Sequence, residues 1–448
     1  MPKPISAADP TPVKVVIITL DSHLAAALDR ATRTLRRDLP GLEVALHAAA
    51  EWGEDQAAVD RCKADIADGD IIFANMLFLD DQIQAILPAL QARRDHCDAM
   101  IAAMASGEIM RLTRMGKFSM DGEAKGPMAM LKKLRGSKGG KNSGAKQMSV
   151  VRGLPKILKW IPGTAQDVRA YFLVLQYWLA GSEENMERLM RFLINRYAAG
   201  DRASLKGALD VPPPKEYPDN GIFHPDLPDK VTDDRAALDR VAPAGTGAGT
   251  VGLMVLRSYV LSGDHAHYDG VIRALEARGL KVIPVFAAAL DARPAIEQFF
   301  LRDGEPVVDA MVSLTGFSLV GGPAYNDARA AEKILSAVNV PYVAAHPVEF
   351  QTLQEWESSD RGLMPVESTI MVAIPELDGS TGPMVFGGRS SAPDSTGREM
   401  TSHAERAETL AARVEKLVSL RRAPRAERKV AMVIFNFPPH AGNTGTAA

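Results

Sequence analysis

The sequence predicts an α/β protein: two doubly wound, mostly parallel α/β domains joined by a helical segment and a Pro/Gly-rich linker. Residues 13–20 are β-branched and almost continuously apolar, as expected of a strand buried on both faces of a parallel sheet. Strand-like and helix-like runs alternate after this segment, and a second alternating series begins near residue 251. The composition, 46% hydrophobic and 24% charged over 448 residues, is that of an ordinary globular protein.

The first domain is predicted to cover residues 13–120. Its predicted strands are residues 13–20, 42–47 and 70–79, and its predicted helices are approximately residues 24–37, 56–68 and 81–94. Residues 121–150 form a basic segment rich in lysine, glycine and serine, which predicts a flexible loop. This loop either grips an acidic partner or is simply solvated. The methionine-rich stretch from Met100 to Met130 is more typical of core packing than of a cofactor site.

A helical segment is predicted for residues 151–206, followed by a linker over residues 207–249. Apolar side chains recur at helical spacing on two stripes, one from Val168 to Leu179 and one from Met186 to Tyr197. Gly181 and Ser182 stand between them, where the end of one helix and the N-cap of the next are expected. Three consecutive prolines and a glycine-rich run then indicate a connection along the surface.

The second domain is predicted to cover residues 250–448. Its predicted strands are residues 251–256, 281–287, 307–314, 341–345, 369–374 and 429–437, and its predicted helices lie near residues 268–278, 324–337 and 402–421. No crossover helix follows the last strand, although a parallel strand normally needs one. The sequence therefore predicts a domain truncated at its carboxyl end; the alternative is a final edge strand with a loose tail.

Several function classes are excluded by composition and motifs. A net charge of −3 does not favour nucleic-acid binding, and no apolar run is long enough for a membrane span. Two cysteines and the absence of a leader pattern predict a cytoplasmic protein, with peripheral membrane attachment left open. Neither a phosphate-binding Walker A loop nor a dinucleotide fingerprint is present, and Leu20-Asp21-Ser22-His23 occupies the first turn instead.

Polar side chains cluster where the predicted strands of the second domain end, the edge at which open α/β sheets bind ligands. Tyr259, Asp264, His265 and His267 lie within one short stretch after the first of these strands. Such a loop could relay protons or hold a divalent ion, since histidine titrates near neutrality and Asp oxygens suit Mg²⁺. The alternative is that Asp264 caps the next helix and that the histidines are only solvated.

Two further clusters follow at later strand ends. His346 and Glu349 end the predicted strand 341–345, where a proline-containing turn is the structural alternative. Glu376 and Arg389 lie in a glycine-rich stretch that would let backbone approach a flat ligand. Arg389 could form a bidentate contact with a carboxylate; alternatively it belongs to an ordinary surface hairpin.

The chain contains the long blocks LRSYVLSGDHAHYDGVIRALEARGL, AAHPVEFQTLQEW, ESTIMVAIPELDGSTGPMVFGGR and FNFPPHAGNTGTAA, and VKVVIITLDSHLAAALDRA near the amino terminus. These blocks resemble the large subunit of magnesium chelatase. The cobaltochelatase large subunit resembles mainly the second region, which favours magnesium over cobalt. The resemblance spans nearly the whole chain, which corresponds to about the first third of such a subunit.

The resemblance implies a subunit that binds protoporphyrin IX and inserts Mg²⁺ as the substrate ion, in the synthesis of chlorophyll or bacteriochlorophyll for photosynthesis. An AAA+ ATPase subunit and a companion chelatase subunit would be its partners, and the ATPase, not this chain, would hydrolyse ATP. His265, His267, Glu349 and Glu376 are expected to accept protons or deliver metal. Tyr259, Asp264, His346, Arg389 and Asn443 are expected to contact the porphyrin, and no metal ligand is assigned. The alternatives are a cobaltochelatase-type large subunit and a non-catalytic α/β module that binds a small ligand.

Overall fold

The computed structural model describes residues 10–20, 22–53, 55–121, 151, 153–242, 247–287, 290–321, 326–390 and 399–434. This part of the chain contains a six-stranded sheet, an eight-stranded sheet and a small two-stranded ribbon. The predicted basic loop, apart from Asp121, lies outside the described residues, as does Asn443.

The first sheet has the strand order β2-β1-β3-β4-β5-β6, in which the first four strands are parallel and the last two form an antiparallel hairpin. The strands are Val13–Thr19 (β1), Leu42–Ala48 (β2), Ile71–Asn75 (β3), Ala99–Ala103 (β4), Arg114–Met115 (β5) and Phe118–Ser119 (β6). The helices are Ala25–Leu35 (α1), Gln56–Asp68 (α2), Asp80–Arg93 (α3) and Gly107–Met110 (α4).

Both faces of this sheet are covered, which explains its nearly continuous apolar strands. On one face, side chains of α2 and α3 pack on alternate residues of β1, β3 and β4. On the other face lie α1 and a pair of long helices, Ala165–Ala180 (α5) and Glu183–Tyr197 (α6). Ring packing of Trp178 on Phe73, with centroids 4.9 Å apart, fixes α5 on the sheet.

The turn between α5 and α6 has the predicted cap chemistry. Gly181 ends α5 with φ of 59°, a left-handed conformation that glycine adopts without steric cost. Ser182 then starts α6, because its hydroxyl accepts a hydrogen bond from the Asn185 N–H at 3.2 Å. A 3₁₀ segment, Gly200–Leu205, follows α6.

The second sheet has the strand order β16-β15-β14-β13-β9-β10-β7-β8, with five central parallel strands. The strands are Asn220–Phe223 (β7), Val231–Thr232 (β8), Gly249–Met254 (β9), Leu280–Ala287 (β10), Ala310–Ser313 (β13), Tyr342–Thr352 (β14), Thr381–Arg389 (β15) and Met400–Ser402 (β16); Leu301–Arg302 (β11) and Glu305–Pro306 (β12) form the ribbon.

The helices of this part again lie on both faces of the sheet. They are Arg235–Val241 (α7), Arg257–Ser262 (α8), Ala266–Ala277 (α9), Arg293–Phe299 (α10), Ala328–Val338 (α11), Leu353–Ser358 (α12), Pro365–Glu367 (α13), Ile374–Leu377 (α14) and Ala404–Arg422 (α15). One core contains α9 and α15, and the other contains α10 and α11. Close packing on the second face requires Gly252, since a Cβ there would lie 2.7 Å from the Phe300 ring.

The predicted α/β class with two mostly parallel sheets is confirmed, but one strand prediction is wrong. Residues 369–374 are helical: a π-helical turn, Ser368–Ala373, joins α13 to α14. The place beside β14 is taken by β15, so the β-branched residues of this segment have no sheet edge to join. Proline residues also lie in the first turn of both flanking helices, Pro365 as the first residue of α13 and Pro375 as the second residue of α14.

The predicted last strand is also not formed in the described residues. Residues 429–434 are exposed and unpaired, and residues 435–437 lie outside the described part. The two edges of the second sheet are occupied by the short antiparallel strands β16 and β8. Among the strands that were not predicted are Ala99–Ala103, which overlaps the methionine-rich stretch, Asn220–Phe223, inside the predicted linker, and Thr381–Arg389, where a surface hairpin was the structural alternative. Met100 and Met115 are buried core residues, as the methionine pattern predicts.

No helix in the described part of the chain has both the length and the apolar character needed to cross a membrane. Both cysteines, Cys62 and Cys97, are buried and free. Burial raises the pKa of the Cys62 thiol to about 12, so it is a packing residue and not a reactive thiolate.

Candidate functional site

The two sheets reverse their strand order at equivalent places. In the first sheet the reversal lies between β1 and β3, and in the second it lies between β9 and β13. Open α/β sheets bind ligands outside the carboxyl ends of the strands at such switch points. Ser22 and His23 follow β1, and α8 with Tyr259 follows β9, so both switch points carry polar side chains.

Tyr259, Glu349 and Arg389 come together at the carboxyl edge of the second sheet. The Tyr259 hydroxyl donates a hydrogen bond to the Glu349 Oε1 at 3.1 Å. Arg389 Nε donates to the carbonyl of Glu349 at 2.7 Å. Arg389 is only 7% exposed, so its charge is held in a largely dry position. These three predicted site residues, from α8, β14 and β15, form the Tyr259 cluster.

The first sheet contributes to the same cluster. Arg389 Nη1 donates a hydrogen bond to the Ser22 hydroxyl, and the ring of His23 stands edge-on to Tyr259 with centroids 6.4 Å apart. Arg30 of α1 adds a second bridge, donating to the Ser262 carbonyl at 2.7 Å and to Glu183 at 2.8 Å. The carboxyl edges of both sheets therefore meet at one place.

Asp264 lies near Arg389 and does not act as a helix cap. Its Oδ1 accepts a hydrogen bond from the Met400 N–H at 2.8 Å, and α9 begins without a side-chain cap. Burial raises the pKa of the Asp264 carboxyl, and the nearby Arg389 and Arg30 oppose that rise. The alternative in which Asp264 caps α9 is thus wrong, and the carboxyl instead links the turn before α9 to β16.

His265 and His267 have different environments although they are two residues apart. His265 is half-buried, and its Nδ1 lies 3.0 Å from Asp269 Oδ2. His267 is fully buried against the rings of Tyr268, Tyr259 and Phe386, and neither of its nitrogens has a hydrogen-bond partner in the described residues. Burial lowers the pKa of His267 well below its ordinary value. Among the described residues, the ring contact with Tyr259 joins His267 to the cluster.

His346 lies in β14 and is also buried, at 2% exposure. Neither ring nitrogen has a partner within the described residues, and burial lowers the pKa of His346 to about 4. The imidazole is thus neutral at physiological pH. It lies beside Gly316, where an added Cβ would be 3.8 Å from the His346 Cβ.

Glu376 is exposed in α14, and no described contact joins it to the Tyr259 cluster. Within the described ranges no group of three or more histidine, cysteine, aspartate or glutamate side chains is arranged to hold a metal ion. Sequence reasoning missed Ser22, His23 and Arg30 as site residues. The available signal was the polar turn after β1, at the first switch point.

Glu367 is a fully buried carboxylate that organises the rim of the site. It accepts hydrogen bonds from the Phe350 N–H at 3.3 Å, the Met364 N–H at 2.9 Å and the Gln351 side chain at 2.6 Å. These three bonds join the end of β14 to the helical excursion that precedes β15. Because Phe350 directly follows Glu349, they also fix the backbone that Arg389 contacts.

The substitution Glu367→Gln should lower the free energy of unfolding by about 1–2 kcal/mol, because an amide N–H₂ would replace one of the two oxygens and face the donors bound there. Urea unfolding followed by circular dichroism measures this change. The matched control is Glu376→Gln, an exposed site where a change within about 0.5 kcal/mol is expected. Equal midpoints for both variants would contradict a stabilising role for Glu367.

Comparisons with known proteins give a consistent family. Residues 175–448 match the model described as CobN/Magnesium Chelatase, and residues 14–172 match a domain of unknown function, DUF3479. The magnesium-chelatase H subunit of Cereibacter sphaeroides is 49% identical over 97% of this chain and 37% of its own length. The chloroplastic magnesium-chelatase ChlH protein of Oryza sativa subsp. indica is 36% identical over 97% of this chain and 32% of its own length.

A solved structure shows the same fold. The catalytic subunit of cobaltochelatase from Mycobacterium tuberculosis superposes with a TM-score of 0.52 at 16% identity, over 95% of this chain and 29% of that chain. The chain spans less than two fifths of the length of the curated relatives that it matches. The resemblance predicted from the sequence blocks is confirmed, and the chain belongs to the CobN/magnesium chelatase family.

Proposed function

We propose that the chain is the amino-terminal region of the large, H-type subunit of a magnesium chelatase, which binds protoporphyrin IX while Mg²⁺ is inserted on the way to chlorophylls. The observation that carries the proposal is 49% identity to a magnesium-chelatase protein of this type, extending along 97% of the chain. A cobaltochelatase-type large subunit is the second candidate. It is less favoured, because the cobaltochelatase structure shares mainly the fold with this chain, whereas the magnesium-chelatase relative shares much of the sequence.

The Tyr259 cluster is the proposed contact with the porphyrin. A propionate carboxylate matches the guanidinium of Arg389, which already donates to an oxygen on each side. The Tyr259 and His23 rings offer edges and faces against which a flat macrocycle can pack. In this proposal the two sheets enclose one side of the ligand, and the predicted division into an amino-terminal and a second domain assigns one sheet to each.

Glu349 is the proposed proton acceptor of the cluster. Metal insertion replaces two pyrrole N–H protons, and these protons need a base nearby. The Glu349 carboxylate is half-buried, and Tyr259 donates a hydrogen bond to one of its oxygens. Carboxylate oxygens also suit Mg²⁺, which prefers oxygen ligands.

The other predicted residues have separate roles in the proposed function. His265 could exchange protons with Asp269 at the surface, whereas His267 and His346 would act by shaping the walls. Glu376, exposed in α14, would accept protons or deliver metal, and Asn443 would contact the porphyrin. ATP hydrolysis would be performed by an AAA+ partner subunit with its companion subunit, in the cytoplasm or at a membrane surface.

The substitution Tyr259→Phe should lower the rate of Mg²⁺ insertion by about tenfold, because Glu349 loses the hydroxyl that orients it. The measurement uses the full-length subunit with its ATPase partners and follows fluorescence of the magnesium porphyrin. The dissociation constant of the porphyrin, measured separately by tryptophan quenching, should change less than the rate.

Tyr171→Phe is the matched control, since this buried tyrosine donates to the Ala102 carbonyl at 3.1 Å in the first sheet. An unchanged rate for Tyr259→Phe would remove the cluster from the reaction. Insertion of Co²⁺ in place of Mg²⁺ by the full-length protein would support the cobaltochelatase alternative instead.

A further inference from the structure

A cavity of about 530 Å³ lies between α5, α6 and residues 206–214, away from the Tyr259 cluster. Its volume is within the range of cavities that hold small organic ligands, about 300–1,000 Å³. None of its lining residues belongs to the Tyr259 cluster or to the segments that follow β1 and β9 at the switch points.

Apolar side chains supply much of the cavity surface. Leu173 and Tyr177 come from successive turns of α5, and Phe192 comes from α6. The Tyr177 and Phe192 rings are in contact, with centroids 5.7 Å apart and planes tilted by 43°. Val211 and the adjacent prolines bring further apolar surface from the chain segment that faces the helices. A ligand with an apolar, ring-like body would fit these groups.

The segment that closes the cavity is pinned to the helices along its length. Asn195 accepts hydrogen bonds from the Gly207 N–H and, through its side chain, from the Leu209 N–H, both at 2.8 Å. Tyr177 donates its hydroxyl to the Pro212 carbonyl at 2.7 Å, and the Lys215 N–H donates to Asn185 at 2.8 Å. The prolines at 212–214 restrict the backbone between these points. The space is therefore preformed, which reduces the entropic cost of binding.

The charges that line the cavity have one sign. Arg169, Arg196 and Lys206 contribute positive charge, and none of the described residues that line it carries a carboxylate. Arg196 pairs with Asp167 at 2.7 Å, and Arg169 donates to the Pro155 carbonyl at 3.1 Å, so both guanidinium groups are held in place. Lys206 is exposed. A negatively charged group on the ligand would be attracted to this end of the cavity.

We propose that this cavity binds an amphipathic organic anion, with a ring-like apolar body against Tyr177 and Phe192 and an acid group near Lys206 and Arg169. The chemical class is an aromatic or alicyclic carboxylate. The proposal is independent of the chelatase function, because it rests on a different surface and is tested without porphyrin or metal.

The experiment uses the chain itself with two fluorescent probes of similar shape. The anionic probe is 1-anilinonaphthalene-8-sulfonate, and the neutral probe is N-phenyl-1-naphthylamine. We expect the anionic probe to bind at a single saturable site and its affinity to fall as salt is added. Lys206→Glu should weaken the anionic probe by at least about fivefold and the neutral probe by less than about twofold.

Two further variants make the result specific. Leu173→Trp should fill the cavity and weaken both probes by at least about fivefold, because their apolar bodies lose space. Lys333→Glu, an exposed lysine on α11, is the matched charge control and should bind both probes like the parent protein. Near-ultraviolet circular dichroism identifies any variant that has lost its tertiary packing.

The proposal is overturned if folded Lys206→Glu and Lys333→Glu bind the anionic probe equally well. It is also overturned if folded Leu173→Trp retains the parent affinity for both probes, since binding would then lie elsewhere. A selective loss in Lys206→Glu together with a general loss in Leu173→Trp would assign the site.

Discussion

Lowering the pH from about 7.5 to 5 should destabilise the chain through His267 and His346, two buried histidines whose ring nitrogens have no hydrogen-bond partner in the described part of the chain. Burial lowers the pKa of His346 from 6.5 to about 4, whereas an unfolded histidine keeps its ordinary pKa. The unfolded state therefore binds the proton first, and stability is lost as the pH falls from about 6.5 toward 4. For His346 alone the loss at pH 5 is about 2 kcal/mol. His267 acts in the same direction, because burial lowers its pKa as well.

Urea unfolding of the parent protein and of the variants His346→Leu and His267→Phe at both pH values measures this loss. Each variant should have a smaller difference between the two pH values than the parent, and the double variant the smallest. Asp264 acts oppositely, because burial raises its pKa, so the comparison must be made between variants and not on the parent alone.

His96→Gln is the control for the histidine variants, since His96 is exposed in the connection between α3 and β4. It should retain the pH dependence of the parent. If His346→Leu and His267→Phe also retain the full pH dependence, then protonation of the two buried imidazoles does not limit stability in acid.

Replacing Arg389 with alanine should cost about 3–5 kcal/mol of unfolding free energy, the largest effect expected for a single substitution at the site. The guanidinium is almost fully buried and donates to the Glu349 carbonyl and to the Ser22 hydroxyl. Its removal leaves these acceptors without a charged donor and weakens the contact between the two sheets. Unfolding should therefore become less cooperative, with the two parts melting at separate temperatures.

Differential scanning calorimetry and limited proteolysis detect such separation. Arg413→Ala is the matched control: Arg413 also donates to a backbone carbonyl, that of Gly382 at 2.7 Å, but it is exposed on α15. A change within about 0.5 kcal/mol is expected there. Ser22→Ala should cost about 1 kcal/mol, because only one hydrogen bond is lost. Equal stabilities for Arg389→Ala and Arg413→Ala would show that Arg389 does not hold the sheets together.

Site residues could be predicted from the sequence where they lie next to a recognisable strand end or glycine-rich stretch. Tyr259 and Glu349 were predicted because they follow the ends of predicted strands, and parallel strands bring those ends to one edge. Arg389 was predicted from its glycine-rich stretch and from the fit of a guanidinium to a carboxylate. Residues 369–374 were mispredicted because their β-branched side chains favour a strand only if a sheet edge is available. The strand 381–389 occupies that edge, and this competition cannot be read from local pattern.

The contribution of the first sheet could not be predicted in the same way. Ser22 and Arg389 are 367 positions apart, and no local pattern pairs them. The turn after β1 lacks a dinucleotide-binding glycine motif, and this absence was used to exclude a function class. The polar residues of the turn gave no indication that they contact the second sheet. His267 was predicted to accept protons or deliver metal, and His346 was predicted to contact the porphyrin. The burial of both imidazoles depends on packing from α9, β14 and β15 together, which no local pattern shows.

The separation of Ser22 and Arg389 along the chain also affects the order in which the two sheets fold during synthesis. At about 5–20 residues per second, Ser22 leaves the ribosome roughly 20–70 s before Arg389 does. The first sheet and its helix pair can therefore complete their own core while the second sheet is still being translated. Joining the two edges is then a late docking step between preformed surfaces. The β1 turn must remain accessible to water and to chaperones throughout that interval.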